Sequence, residues 1–140
     1  MEQKKDYVET QIEMLTNALK KLLNKILKIK LEGDWEKVVL SESIKDINDL
    51  LLMDLIKIKD RFLIQTLTEK NCLTNIQIKI LADILYEYLQ IPEVNKSFIN
   101  KAQILYRYYH ENEKKTTDFI VFARLTELEE RIKKLNESRF

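Results

Sequence analysis

The chain reads as an all-α protein, five to six antiparallel helices in an irregular stack or bundle, forming a single helical domain over residues 1–140. Three observations lead there. Only one glycine (Gly33) and one proline (Pro92) occur in 140 residues, whereas hairpins, tight turns and phosphate-cradling loops lean on such residues. Val8, Ile12, Leu15, Leu19, Leu22, Ile26 and Ile29 recur at alternating spacings of four and three, a helical seam about three heptads long. Thr74-Asn75-Ile76-Gln77 has the capping-box spacing that opens a helix.

The first helix carries that seam, and Leu23 and Leu27 widen it beyond a bare two-position stripe. Asp6 is its expected N-cap. Glu9 and Glu13 near its start and Lys20, Lys21, Lys25, Lys28 and Lys30 toward its end complement the helix dipole. Gly33 supplies the stop at C′.

Asp34 then caps a second helix, Trp35 to Met53, with Trp35, Val38, Val39, Ile44, Ile47, Leu50 and Leu51 inward. A third runs from Asp54 to Leu67 with Leu55, Ile58, Phe62 and Leu63 inward, and its boundary with the second is poorly signalled. A single kinked helix fits the same residues. A short helical turn is expected over Thr68–Leu73. The capping box opens a fourth helix, to about Gln90, and Pro92 turns the chain by holding Ile91 out of the α region. Asn95 caps a fifth helix ending near Asn112, and Thr116 or Thr117 caps a sixth ending near Asn136.

Composition narrows the class without choosing a function. A length of 140 residues suits one domain able to bury about 70% of its unfolded surface. Hydrophobic content of 45% beside 34% charged residues suits helices that keep one solvated face. The formal net charge of +1 favours neither nucleic acid nor an anionic membrane. Lysine outnumbers arginine 19 to 5, with Ile and Asn abundant and Ala sparse; this composition fits an AT-rich, bacterial coding bias. Cys72 is the only cysteine, so no intramolecular disulfide forms, and the N-terminus shows no signal-peptide pattern. A soluble cytoplasmic protein is expected.

Gly33-Asp34-Trp35-Glu36-Lys37-Val38 resembles the turn and second-helix opening of tetratricopeptide-type repeats. In those, glycine ends one helix, aspartate caps the next, and an aromatic residue wedges between them. The segments 75–90 and 95–112 share the layout of such a hairpin, with Ala82 and Ala102 at close-packing positions but without the glycine turn. More broadly, Asp6-Tyr7-Val8, the long first helix and Gly33-Asp34-Trp35-Glu36 resemble a family of small bacterial proteins known only as a domain of unknown function. That resemblance implies a helical fold and no assigned activity.

Catalytic constellations are absent from the sequence, and no enzyme is expected. His110 and Cys72 are separated by a helix and two turns, and the residue three before His110 is Arg107, not the glutamate of a di-metal motif. Zinc spacing and a glycine-rich phosphate loop are both missing. No cofactor or metal is expected. Asp46, Asp49, Asp54 and Asp60, near Lys45, Lys57 and Lys59, read as solvated ion pairs, as do Glu127, Glu129 and Glu130 with Arg131, Lys133 and Lys134.

The tyrosines carry more. At 100° per residue, Tyr88 joins the Leu81, Ile84, Leu85 stripe, and Tyr106 and Tyr109 join Ala102 and Leu105, all inward. Tyr86 and Tyr108 fall off their stripes, beside Arg107 and the off-stripe Ile104. Tyrosine and arginine are enriched where proteins meet. The expectation is therefore a non-catalytic interaction or scaffold module that binds a protein or peptide through Tyr86, Ile104, Arg107 and Tyr108. A homodimer through the first helix or the Leu125, Leu128, Ile132, Leu135 seam is a companion expectation. The alternative is a nucleic-acid-binding regulator using the lysines of the first helix; a small enzyme ranks behind both.

Overall fold

A computed structural model describes residues 2–32, 37–89, 96–113 and 118–137. It contains α1 (Glu2–Leu31), α2 (Lys37–Leu51), α3 (Asp60–Gln65), α4 (Asn75–Tyr88), α5 (Lys96–Asn112) and α6 (Phe119–Glu137), with no strand among the described residues. The chain is an all-α bundle. The expectations placed on Gly33, Asp34, Trp35 and Glu36, on Ile91, Pro92 and Asn95, and on Thr116 and Thr117 lie outside the described residues, as do the side chains of Val38 and Val39.

The bundle is organised around α4. Its sequence from Ile76 to Leu89 is apolar on every side but a narrow polar stripe of Lys79, Asp83 and Glu87, and a helix so broadly apolar must be covered on most sides. Ile78, Leu81, Ala82, Ile84, Leu85 and Tyr88 are fully buried. The most extensive interface is α4 on α5, followed by α5 on α6 and α1 on α4; α3 lies against α5, and α2 makes a smaller contact with α1.

α5 runs antiparallel to both α4 and α6, with Tyr88 beside Phe98 and Asp83 beside Tyr106 on one side, and His110 beside Phe122 and Arg107 beside Glu129 on the other. α4, however, runs parallel to both α1 and α6. Gln77 at its start reaches Ile12 and Thr16, and Glu87 at its end reaches Lys30. Along α6, Lys79, Asp83 and Tyr86 meet Asp118, Arg124 and Glu127 in order.

The capping box forms as expected. The Thr74 hydroxyl accepts the Gln77 amide at 3.2 Å, and the Gln77 side chain accepts the Thr74 amide at 2.9 Å. Gln77 does a second job: its side-chain amide donates to the Ile12 carbonyl and the Thr16 hydroxyl, both at 3.1 Å. One buried side chain thus closes the start of α4 and fixes the axial position of α1. Because Gln77 is level with residues 12–16, the first turns of α1 run beyond the start of α4.

That placement corrects the reading of α1. The helix begins at Glu2, so Asp6 lies inside it and is not its N-cap. Of the seam, Leu19, Leu22 and Ile26 are buried, whereas Val8 and Ile12 are exposed, lying at or beyond the level where α4 begins.

The passage from α2 to α3 is neither a single kinked helix nor a direct junction. α2 stops at Leu51, and Leu52 takes a left-handed conformation at φ 54°. The Asn48 side chain accepts the Leu55 amide at 3.0 Å, and Asp54 caps a 3₁₀ turn, Leu55–Lys57, by accepting the Ile56 amide at 3.2 Å. Lys59 is extended, and only then does α3 begin. Two expected inward positions are corrected: the break resets the helical phase and so moves Phe62 outward, while Leu50, before the break, faces the open groove between α1 and α2. Leu63 is fully buried while its neighbour Phe62 is exposed under the Arg61 guanidinium, and Leu50 on α2 is partly exposed.

In place of a separate turn at Thr68–Leu73, α3 continues in wider π-helical winding through Thr66–Lys70. Asn71 then donates to the Leu51 carbonyl at 2.7 Å, capping the end of α2. Cys72 is the second left-handed residue, at φ 53°. Glycine scarcity has therefore not excluded positive φ; the chain places Leu52 and Cys72 there, at about 1–2 kcal/mol each relative to glycine. At α6 the N-cap is Asp118, which accepts the Ile120 and Val121 amides at 3.1 Å.

Candidate functional site

Two features concentrate chemistry: a polar cluster between α4, α5 and α6, and an apolar groove along α1 and α2.

The cluster grows from two carboxylates one turn apart on the buried helix, Asp83 and Glu87. Arg124 of α6 donates to Asp83 Oδ1 at 2.8 Å and to the Tyr106 hydroxyl at 2.8 Å. The Tyr106 hydroxyl donates in turn to Asp83 Oδ1 at 2.5 Å. The triangle is closed. Burial raises the Tyr106 hydroxyl far above its ordinary pKa, with the charge of Asp83 adding to the effect, so Tyr106 stays a neutral donor. Burial also raises the Asp83 carboxyl, opposed by its hydrogen bond from Tyr106 and by Lys79 and Arg124.

Lys30 of α1 donates to Glu87 Oε2 at 2.8 Å, and Arg124 Nη2 lies 4.0 Å from Glu87 Oε1. The Arg124 guanidinium also sits 4.3 Å from the centre of the Tyr86 ring, a cation–π geometry. Arg131 donates to the Leu89 carbonyl at 3.0 Å, closing the end of α4. Every member has a partner within the bundle, and such a network fixes the relative axial positions of the helices.

Sequence reasoning missed this cluster. The available signal was Asp83 and Glu87 at i and i+4 in an otherwise apolar helix, a pair that must meet partners if the helix is buried.

The groove lies on the other side of α1. Ala18 and Leu22 of α1 and Leu50 of α2 form its apolar floor, Lys21 and Lys25 one rim, and Asp46 and Asp49 the other; its volume is about 500 Å³. Lys25 and Asp46 approach to 3.8 Å across it. Leu50 also lines a second cavity of about 410 Å³ with Val8, Ile12, Leu15, Asn71, Cys72 and Gln77. The apolar surface thus passes from the groove to the overhanging start of α1, where Tyr7 is 66%, Val8 53% and Met14 60% exposed.

Of the four residues singled out in the sequence, Tyr86 and Arg107 are engaged by α6. The Tyr86 hydroxyl donates to Glu127, its ring meets Tyr106 edge-on at 6.4 Å, and Arg107 pairs with Glu129 at 3.3 Å. Ile104 and Tyr108, one turn apart on α5, are half-buried against the core. The tyrosines read as inward, Tyr88, Tyr106 and Tyr109, are buried. In the last-helix seam Leu125 and Leu128 are buried, and Ile132 and Leu135 pack partly on the core.

Other expectations resolve individually. The exposed Cys72 thiol donates to the Glu69 carbonyl at 3.7 Å, while the His110 ring lies 6.1 Å from Phe122. Asp60 pairs with Lys101 of α5 at 2.7 Å, not with a lysine near it in sequence. No cluster of three or more metal-ligating side chains occurs among the described residues, and no helix there is long and apolar enough to cross a membrane. Comparison with family models, with curated proteins and with solved structures finds no match.

Proposed function

We propose that the chain is a non-catalytic interaction module that binds an amphipathic helix of a partner protein along α1 and α2. The observation that carries the reading is the apolar lining that Leu50 shares between the two cavities, joining Val8, Ile12 and Leu15 to the Leu22–Leu50 floor, with Tyr7 and Met14 exposed on the same stretch of α1. Contiguous exposed apolar surface rimmed by charge marks interaction sites. The groove's rims have opposite sign, Lys21 and Lys25 facing Asp46 and Asp49. A helix with an apolar face, acidic along one edge and basic along the other, complements both rims.

Supporting a surface on α1 and α2 over one at Tyr86, the Tyr86 ring and hydroxyl are already engaged by Arg124 and Glu127 of α6. A tetratricopeptide-like elbow at Gly33 joining these two helices, and a bacterial cytoplasmic setting, belong to the same proposal. Two lysines of α1, Lys25 and Lys30, face carboxylates, which weighs against the nucleic-acid alternative.

Photocrosslinking from position 14 in the native cell tests the reading. It should yield a defined protein adduct whose amount falls at least ten-fold in Leu50→Glu and is unchanged in Tyr108→Ala. Leu50 is 38% exposed, so a glutamate there should lower thermal stability moderately, and the adducts are compared at a temperature where circular dichroism shows the variant folded. Adducts lost in Tyr108→Ala but retained in Leu50→Glu would contradict the assignment and return the surface to the tyrosines. An adduct to a second copy would identify self-association instead.

A further inference from the structure

A third cleft, lined by residues distinct from those of the apolar groove, is built from charge. It lies between the segment leading into α3 and the first turns of α5, with a volume of about 490 Å³, and its lining includes Lys57, Lys59, Asp60, Arg61, Ser97 and Lys101. Four cationic side chains stand against one carboxylate, a formal surplus of three positive charges in one cleft of a nearly neutral chain.

Lys101 sets the character of the site. It is only 2% exposed yet lines the cleft. Lysine is almost never so buried without compensation. Its ammonium has three N–H donors, and among the described residues its one acceptor is Asp60 Oδ1 at 2.7 Å. Asp60 and Lys101 neutralise each other. Lys57 makes only a loose 3.9 Å approach to Asp54, and among the described residues neither Lys59 nor Arg61 has a carboxylate partner. The cleft therefore presents unspent donors and unneutralised charge around a buried ammonium.

We infer that this cleft binds a small molecule through a phosphate group. A phosphate dianion offsets two of the three surplus charges, and its oxygens accept from the remaining Lys101 donors and from the guanidinium of Arg61, a group able to give a phosphate two parallel N–H donors. The volume lies within the range of small-ligand sites, leaving room for more than the phosphate itself. The cleft is lined by different residues from the α1–α2 groove, so this inference stands apart from the proposed function.

The test uses pyrophosphate as probe and citrate, at matched ionic strength, as the carboxylate comparison, each titrated into the ¹⁵N-labelled full chain. Pyrophosphate should give saturable shifts centred on residues 57–61, 97 and 101, with citrate at least ten-fold weaker. Lys59→Ala/Arg61→Ala, both surface changes, should weaken pyrophosphate at least ten-fold with an unchanged melting temperature. Shifts that fail to saturate by about 20 mM would overturn the inference. So would equal affinity for citrate, shifts spread over the α1 lysines, or a double variant that binds as the wild type does.

Discussion

Arg124→Met should lower stability by about 3–5 kcal/mol at pH 7, the range for breaking a buried ion pair by removing one partner. The lower part of that range is expected, because the Arg124 side chain is 25% exposed and Tyr106 still donates to Asp83. For a chain of this size the melting temperature should fall by roughly 10 °C. The loss comes from what remains: Asp83, with a side chain 15% exposed, keeps its charge without its cation.

The pH dependence identifies that cause. Asp83 already has a carboxyl pKa raised by burial, so its ionisation penalises the folded state. A group with a raised folded pKa imposes no penalty below its unfolded value, and the penalty grows as pH rises through the window up to the folded value. Removing Arg124 raises the folded value further and widens the window. The stability gap between variant and wild type should be largest near neutral pH and shrink as acid protonates Asp83. Chemical denaturation from pH 4 to 8 checks this; a gap independent of pH would mean that Arg124 acts through packing on Tyr86 instead. Adding Asp83→Asn to Arg124→Met should recover part of the loss, because the unpaired charge is gone.

Leu81→Ala should cost about 3–4 kcal/mol, within the range for leucine truncation in a core that cannot collapse around the cavity. Leu81 is fully buried on the helix that α1 and α5 both cover, so a void there has walls on several sides and little freedom to close. The denaturant midpoint should drop with an unchanged slope. Met14→Ala, on the exposed start of α1, should stay within about 0.5 kcal/mol of wild type. A loss at Met14 comparable to that at Leu81 would place the start of α1 in the core.

The parts of the fold that were legible in the sequence are those governed by local rules. The Thr74–Gln77 box is a four-residue device whose hydrogen bonds need no tertiary partner, and it forms. Tyr88, Tyr106 and Tyr109 were placed inward by phase alone. The break at residues 52–59 was obscure because its signals are not glycine or proline: a left-handed Leu52 and a cap from Asp54 replace them. Helical phase cannot be carried across such a break, which is why Phe62 was misplaced. The seam of α1 was correctly periodic, but periodicity does not say how far a partner extends, and only Gln77 fixes that α4 begins level with residues 12–16.

The candidate site was less legible for a related reason. Tyr86 looked like a surface residue because it leaves the apolar stripe of α4, but the helix that covers it lies forty residues on in sequence, with Glu127 and Arg124 as its contacts. Asp83, Glu87 and Arg124 each look unremarkable alone; their meaning is tertiary. The groove is equally a product of how α2 leans on α1, and the sequence showed its floor residues only as members of two stripes.

Native-state hydrogen exchange measures the arrangement most directly, because it reads α4 and the overhang of α1 in one experiment. Amides of residues 78–88 should exchange only through global unfolding, at the full free energy from denaturation. Amides of residues 6–14 should open at a much lower free energy in the dilute chain, since only part of one face of that segment is covered. Sub-global opening of α4, or protection of residues 6–14 equal to that of residues 19–29, would contradict a bundle built around α4 with the start of α1 largely uncovered.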